Sequence, residues 1–168
     1  MAEERHEPRH SVTGEFMAQD TDTADGLKQI ADILAVGKKA PIADLMNFKL
    51  VELDRGHAVF EGQPDASVYN PIGSVHGGYA ATLLDSACGF ATHSMLKPGQ
   101  GYTTLELKVS YIKGLSDKSG TIRAQAKLRS IGSRVAFADA ELHDEAGRLC
   151  ATATSTLLVF DIPPKRKT

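Results

Sequence analysis

The strongest constraint on this chain is a long apolar segment that carries a single charge. Between Asp65 and Lys97 the only side chain with a full charge at neutral pH is Asp85, although charged residues make up 24% of the chain. A helix as apolar as this one cannot lie on a surface, because most of its sides need covering. The segment therefore predicts a buried helix, and it makes the position of Asp85 unusual.

The long helix is predicted over residues 75–96, after a loop marked by Asn-Pro and glycine and before the breaker sequence KPGQG. Upstream, apolar residues at helical spacing from Leu27 predict a shorter helix. Residues 47–63 are typical of two strands joined by a turn at 54–56. The first half of the chain is thus predicted to form a helix, a hairpin and the long helix.

The second half of the chain is predicted to be about four antiparallel strands. One shows the alternation Leu105, Leu107, Val109 and Tyr111, and two others are joined by a turn at 145–147. An antiparallel sheet wrapped around the helix is the simplest way to cover it, which predicts an α+β fold. The uncovered face and edges of that sheet favour pairing with a second copy.

Composition also divides the chain. Residues 1–24 are polar without an apolar period, which predicts a flexible N-terminal tail, and residues 25–162 are predicted to be the single folded domain. The two prolines of DIPPKRKT prevent this end from extending the sheet, so residues 163–168 are predicted to be a basic tail.

The net charge, the cysteines and the lack of certain motifs exclude several classes of protein. A net charge of −2 gives no broad nucleic-acid footprint, and no segment predicts a signal peptide or a membrane span. Cys88 and Cys150 lie far apart, which favours reduced thiols. The sequence has no metal-binding motif, phosphate loop or dinucleotide fingerprint. We therefore expect a cytoplasmic protein without a metal or a resident cofactor.

The start of the long helix is the predicted site of chemistry. Gly77 and Gly78 open this helix, where backbone N–H groups lack helical partners and the dipole favours negative charge. Without a Cβ, a substrate carbonyl can approach that backbone closely. Asp85 is the only nearby carboxylate that can act as base or nucleophile. The residues alone leave structural alternatives open, since Asp85 could bond a buried donor and the glycines could permit close packing.

These residues form a motif that resembles a known enzyme family, the hotdog-fold acyl-CoA thioesterases of the phenylacetate-pathway (PaaI-like) type. The closing strands, with their Asp-x-x-Gly-x-Leu turn, are similar to that family as well, so the resemblance covers roughly residues 45–160. It implies a hotdog fold, one long central helix wrapped by an antiparallel sheet, and hydrolysis of an acyl-CoA thioester to free acid and coenzyme A. The motif N-x-x-G-x-x-H-G-G, followed by Asp, consists here of Asn70, Gly73, His76, Gly77, Gly78 and Asp85.

The resemblance implies catalytic roles for five residues. Asp85 is the base or the nucleophile, and Gly77 supplies the N–H that polarises the thioester carbonyl. Asn70 helps to hold the catalytic water or the carboxylate, although on its own it could be a turn residue before proline. Thr104 places a hydroxyl near the reacting centre. His76 orients the turn or contacts the substrate, and a structural bond to neighbouring backbone is an equal alternative.

Binding of coenzyme A is expected at a second set of residues. Its phosphates are negatively charged, so we expect cationic side chains and free backbone N–H groups at the entrance of the substrate site. By resemblance this role falls to Gly78 and to the strand junction that contains Arg129, Ser133 and Arg134. The alternative for the junction is an exposed hairpin tip with no ligand.

Two other functions remain open at this point. A hydratase or dehydratase of the same fold acts on acyl thioesters with a histidine and an acid, which would make His76 catalytic. A non-catalytic acyl-CoA-binding module would be a sensor, but residues 1–24 are too short and polar for a DNA-reading module. The acyl group (aromatic, medium or long chain) and its carrier also remain open.

The helical spacing predicts how the site is assembled. Gly77 and Asp85 are eight positions apart, which is about 12 Å along a helix. An aspartate is too short to act on a carbonyl held about 3 Å from the Gly77 N–H of the same helix. Two antiparallel helices across a two-fold axis remove this difficulty. We therefore expect a homodimer with shared active sites, with Asn70 and Gly77 from one subunit and Asp85 from its partner, and a homotetramer as the full assembly.

Overall fold

The structure, a computed structural model, describes residues 25–163. The predicted flexible tail at 1–24 and residues 164–168 of the predicted basic tail lie outside the described residues. Short 3-10 turns occupy Ala66–Val68 and Asp117–Ser119. The helices and strands, in chain order, are α1 (Gly26–Ala35), α2 (Pro41–Leu45), β1 (Phe48–Asp54), β2 (His57–Gly62), α3 (Gly77–His93), β3 (Gln100–Tyr111), β4 (Ile122–Ile131), β5 (Val135–His143) and β6 (Leu149–Asp161).

The strands form one six-stranded antiparallel sheet in the order β1-β2-β4-β5-β6-β3, and α3 packs against its inner face. The predicted α+β class, the hairpin, the long helix and the four later strands are therefore confirmed. Both predicted turns are present. Gly56 and Gly147 have φ angles of 72° and 75° there, a conformation that glycine adopts without strain.

Small side chains allow α3 and the sheet to approach each other closely. Leu83, Leu84 and Ala87 on α3 are completely buried. A well-packed interior of this kind has no room for larger side chains at the facing positions. The strands β4 and β5 accordingly present a set of buried alanines, which are Ala124, Ala126, Ala136, Ala138 and Ala140.

Gly89, the one strong helix breaker predicted within the long helix, does not interrupt α3. A Cβ at this position would lie 2.6 Å from the hydroxyl oxygen of Tyr102 on β3. Because tertiary packing outweighs the low helix propensity of a single glycine, the helix continues. The glycine therefore serves close packing between α3 and β3.

The first helix docks on the C-terminal end of α3. The Gly26 N–H donates to the Leu96 carbonyl oxygen at 3.0 Å, and a Cβ at Gly26 would lie 1.7 Å from the His93 carbonyl oxygen. Only glycine permits this approach. The contact continues through Ile30, which is 1% exposed, and through a hydrogen bond of 3.1 Å between Gln29 Oε1 and His93 Nε2.

The strand β3 is an edge of the sheet, because its only strand partner in the described chain is β6. A bulge between Thr104 and Glu106 interrupts the alternation that the sequence predicts. Leu105, which the bulge leaves unpaired, is 59% exposed in the single chain, and Tyr111 at the end of the strand is 57% exposed. The apolar side chains of this strand are thus not fully covered by the chain's own core.

The two cysteines are free and buried. Burial, together with the nearby Asp85 carboxylate, raises the pKa of the Cys88 thiol to about 12, and burial also raises the pKa of Cys150. Since the thiolate is the reactive form, both residues are packing groups. Within residues 25–163, no helix has the length and apolar character that a bilayer crossing requires.

Candidate functional site

The start of α3 leaves one backbone donor open. His76 is the residue before the helix, and its Nδ1 accepts a hydrogen bond of 2.8 Å from the Gly78 N–H. The Tyr79 N–H donates to the His76 carbonyl oxygen at 2.9 Å. For the Gly77 N–H, in contrast, residues 25–163 provide no hydrogen-bond acceptor. This donor is therefore free to bind a ligand, and His76 forms the structural bond that the sequence left as an alternative.

Tyr111 fixes the position of Gly77. Its hydroxyl donates to the Gly77 carbonyl oxygen at 2.8 Å. A Cβ at Gly77 would lie 3.0–3.2 Å from atoms of the Tyr111 side chain, which is closer than side chains normally pack. The glycine thus lets the Tyr111 ring lie directly against the start of α3.

Asn70 shapes the loop that leads to α3. Its Oδ1 accepts from the N–H groups of Ile72 and Ser74 at 3.1 Å each, and its Nδ2 donates to Ser74 Oγ at 2.9 Å. In the described chain all side-chain hydrogen bonds of Asn70 stay within residues 70–74. Asn70 thus has the arrangement of a turn residue, and it approaches the helix start through this loop.

Asp85 lies half-buried in the third turn of α3. Thr104 on β3 donates its hydroxyl hydrogen to Asp85 Oδ1 at 3.0 Å. No lysine or arginine in residues 25–163 forms an ion pair with this carboxylate. Thr104 therefore orients one oxygen, and the other remains available to a water molecule or a substrate. The structure brings together Asp85 and Thr104, as the resemblance implied.

The two halves of the predicted site do not meet in one chain. Asp85 and Gly77 belong to the same unbroken helix, so about 12 Å of helix axis separates them. The strand β3 runs back along α3 and contacts both halves, at Thr104 and at Tyr111. Within residues 25–163, no three His, Cys, Asp or Glu side chains gather into a possible metal site.

A cavity of about 430 Å³ adjoins Thr104. It lies between α1, α2, α3 and strands β1, β2 and β3, and its volume is within the range of small-molecule sites. Sequence reasoning missed this cavity, because its walls come from elements that are far apart in the chain and no local pattern joins them. Its aromatic wall consists of Phe48, Phe60, Phe90, His93 and Tyr102.

The residues predicted to bind coenzyme A lie beyond the Asp85 half of the site. The hairpin turn is residues 132–134, because Ser130 and Ile131 still belong to β4 and β5 begins at Val135. Ser133 and Arg134 are exposed there, and Arg129 forms an ion pair with Asp139. Thr104 on β3 pairs with Leu157 on β6, and Leu157 pairs with Ala136 on β5. The turn ends two residues before Ala136, so it lies just beyond the level of Thr104 in the sheet. Gly78 lies instead beside Gly77, and its N–H is already bonded to His76.

Part of the chain is similar in sequence to known thioesterases. Residues 72–151 match the family model of the thioesterase superfamily. The 1,4-dihydroxy-2-naphthoyl-CoA hydrolase of Escherichia coli (strain K12) is 28% identical over 96 residues, which are 57% of this chain and 69% of that protein. The proofreading thioesterase EntH of Klebsiella pneumoniae is 29% identical over 100 residues, 60% of this chain and 72% of that protein.

A similar solved structure is that of a mutant of the phenylacetic acid degradation protein PaaI from Thermus thermophilus. It has a TM-score of 0.64 and 28% sequence identity, and the match covers 71% of this chain and 98% of that chain. The similarity therefore extends over nearly the whole of that protein.

The close contact between Gly77 and Tyr111 yields a prediction about stability. Gly77→Ala should destabilise the protein when Tyr111 is present, because the added methyl group meets the tyrosine ring. In a Tyr111→Ala background the same change should cost at least about 0.5 kcal/mol less. Urea unfolding of the four proteins of this double-mutant cycle measures the difference. Equal costs in both backgrounds would show that the ring does not constrain Gly77.

Proposed function

We propose that this chain, which contains a thioesterase-superfamily domain with the hotdog fold, hydrolyses an acyl-CoA thioester to a free acid and coenzyme A. The observation that carries the proposal is a carboxylate, Asp85, held by Thr104 beside an apolar cavity. A thioester needs such a group to deliver water or to attack, and it needs a place for its acyl chain. Relatives named as thioesterase and CoA hydrolase support this reaction class.

The mechanism assigns one role to each half of the site. The Gly77 N–H donates a hydrogen bond to the thioester carbonyl oxygen and stabilises the negative charge that develops there. Asp85 either takes a proton from the attacking water or attacks the carbonyl carbon itself. The first route gives a tetrahedral intermediate that expels the thiolate. In the second route the thiolate leaves as the anhydride forms, and water then cleaves the anhydride. Both routes use the same residues, with Thr104 orienting Asp85.

The proposed site is shared between two subunits. The helix spacing keeps Asp85 away from the Gly77 N–H of its own chain, so the carbonyl at Gly77 requires a carboxylate from elsewhere. Exposed apolar side chains beside the helix start, Ile72, Tyr111 and Ile112, offer a surface for the partner. The free edge of β3 adds backbone groups for pairing. Asn70 supports Gly77 by shaping the loop before it.

Coenzyme A is proposed to contact the β4–β5 hairpin. Arg134 is exposed at its tip and has no ion pair within residues 25–163, which makes it the better cation for a phosphate. Arg129 is the second candidate, and a phosphate would have to replace Asp139 as its partner. Ser133 can add a hydroxyl at the same tip.

The first prediction of this mechanism concerns Asp85. Asp85→Asn keeps the size and polarity of the side chain but removes its basic and nucleophilic charge, so kcat should fall by at least ~10²-fold. Release of free thiol from a panel of acyl-CoAs measures the effect. The control is Asp54→Asn, the same change at an exposed position, which should retain normal activity. Hydration of an enoyl thioester without thiol release by the wild type would reject hydrolysis as the function.

A second prediction isolates the Gly77 N–H. Gly77→Pro removes this donor, and the site accepts proline because Gly77 is the first helical residue and His76 before it is extended, with ψ 134°. Gly77→Ala introduces a similar clash with Tyr111 but keeps the N–H. We expect kcat of the proline variant to be ~10²-fold below that of the alanine variant. Similar activities for the two variants would show that this N–H does not stabilise the transition state.

The third prediction tests the shared site by mixing subunits. Gly77→Pro and Asp85→Asn proteins, each nearly inactive, are refolded together. A mixed dimer has one site with both lesions and one intact site. With random pairing half of the dimers are mixed, so about a quarter of wild-type activity should return. If subunit exchange is verified by mass and no activity returns, each site lies within one subunit.

A further inference from the structure

The charged side chains that line the acyl cavity all have the same sign. Lys38 and Lys39, between α1 and α2, and Lys49 on β1 line the cavity, and within residues 25–163 no aspartate or glutamate does so. The whole chain, in contrast, has 21 acidic and 19 basic residues. These three residues, which we call the lysine rim, therefore give the cavity a charge opposite to that of the protein.

The lysine rim has little compensation from neighbouring carboxylates. Within residues 25–163, Lys38 and Lys49 form no ion pair. The Lys39 Nζ is 3.9 Å from Asp44 Oδ1, and more than half of each of these side chains is exposed. Such long, exposed pairs contribute little. The rim thus retains positive charge that an anionic ligand can neutralise.

The rim also marks a side of the cavity that water reaches. All three lysines are exposed, although they line a cavity with largely apolar walls. Lysine commonly lays its methylene groups on apolar surface and keeps its ammonium group in water. A charged group that binds at the rim would keep part of its hydration, so it avoids the cost of complete burial.

The sheet topology places the rim across the cavity from Thr104. The strands β1 and β3 are the two opposite edges of the six-stranded sheet, and both line the cavity. The cavity therefore spans the gap between these edges, with Thr104 on β3 at one side and Lys49 on β1 at the other. Phe48, Phe60 and Phe90 make the wall between them apolar.

We propose that the lysine rim binds a carboxylate at the distal end of the acyl group, so that the cavity selects thioesters of dicarboxylic acids. This inference rests on the proposed thioester hydrolysis. The aromatic wall would cover the methylene groups of the chain, and the ammonium groups would form charge-assisted hydrogen bonds with the carboxylate. Coenzyme A leaves the reacting carbonyl in the other direction, so its phosphates do not compete for the rim.

The gap between the two edge strands sets the length of the acyl chain. The helix α3 lies between these strands and contacts both of them, so the gap is about one helix diameter, roughly 10 Å. A C–C bond of about 1.5 Å advances an extended chain by roughly 1.25 Å, and about eight carbons therefore span the gap. The cavity volume of about 430 Å³ is large enough for a ligand of this size.

Matched pairs of thioesters test the proposal. Adipoyl-CoA, suberoyl-CoA and sebacoyl-CoA are each compared with the thioester of the corresponding monomethyl ester, which has nearly the same shape but no distal charge. At low salt the wild type should prefer at least one free carboxylate by about tenfold in kcat/KM. The preference should weaken as the salt concentration rises to about 0.5 M, because salt screens exposed charges. Ratios near or below one for all three pairs would reject the proposal, and so would a preference that salt does not weaken.

Variants of the rim identify the groups that cause the preference. Lys38→Met with Lys49→Met keeps apolar side chains of similar length but removes two charges, and the preference should fall to about one. Lys118→Met with Lys127→Met makes the same changes at exposed positions outside the cavity and should leave the preference intact. A preference that the rim variant retains would overturn the proposal, because the lysines would then serve another part of the substrate.

Failure of the proposed function gives a separate result. If none of the six thioesters is hydrolysed, thioester hydrolysis is rejected, and titration calorimetry of the same compounds with the wild type measures the preference as a ratio of Kd values. Tenfold tighter binding of a free carboxylate, lost in the rim variant, would then support the carboxylate site alone. Equal Kd values within every pair would reject it.

Discussion

The contact between α3 and β3 determines the geometry of the whole site. Two hydroxyl groups of β3 reach across to the helix: Tyr111 bonds the carbonyl oxygen of Gly77, and Thr104 bonds the carboxylate of Asp85. Each bond is modest in energy, but each fixes one functional group of α3 against a strand of the sheet. The distance between the two halves of the site is thus set by packing that involves the core, since Gly89 lets Tyr102 lie flush against the same helix.

That fixed distance has a consequence for assembly. A rigid helix cannot bring Asp85 to its own N-terminus, and the site can be completed only by a group from outside this helix. The edge strand β3 carries Thr104 and Tyr111 and remains unpaired on one side within the described chain. The same strand therefore positions both halves of the proposed site and offers the free edge at which a second copy would supply the missing half. The proposed catalysis and the proposed association thus depend on one structural element.

The elements of the fold could be predicted from the sequence because their signals are local. The apolar stretch around Asp85, the glycine turns and the alternation in the later strands each lie within a few residues. The bulge after Thr104 could not be predicted, because it depends on pairing with β6. The hydrogen bonds of Asn70 and His76 are local as well, and the sequence identified these residues but left their structural roles as alternatives. The cavity has no local signal, since Phe48, Phe60 and Phe90 meet only after folding.

The walls of the acyl cavity and the groups proposed to react consequently come from different parts of the chain. The groups proposed to react lie on α3 and β3, whereas α1 and α2, which cover the cavity, precede the matched superfamily region of residues 72–151. Gly26 allows α1 to touch the end of α3, and Gln29 on the same helix forms a hydrogen bond with His93. A related chain could keep the groups on α3 and β3 while its first helix differs in length or sequence. The chemistry would then be retained while the shape and polarity of the acyl cavity changed, because residues of α1 and α2 form part of its wall.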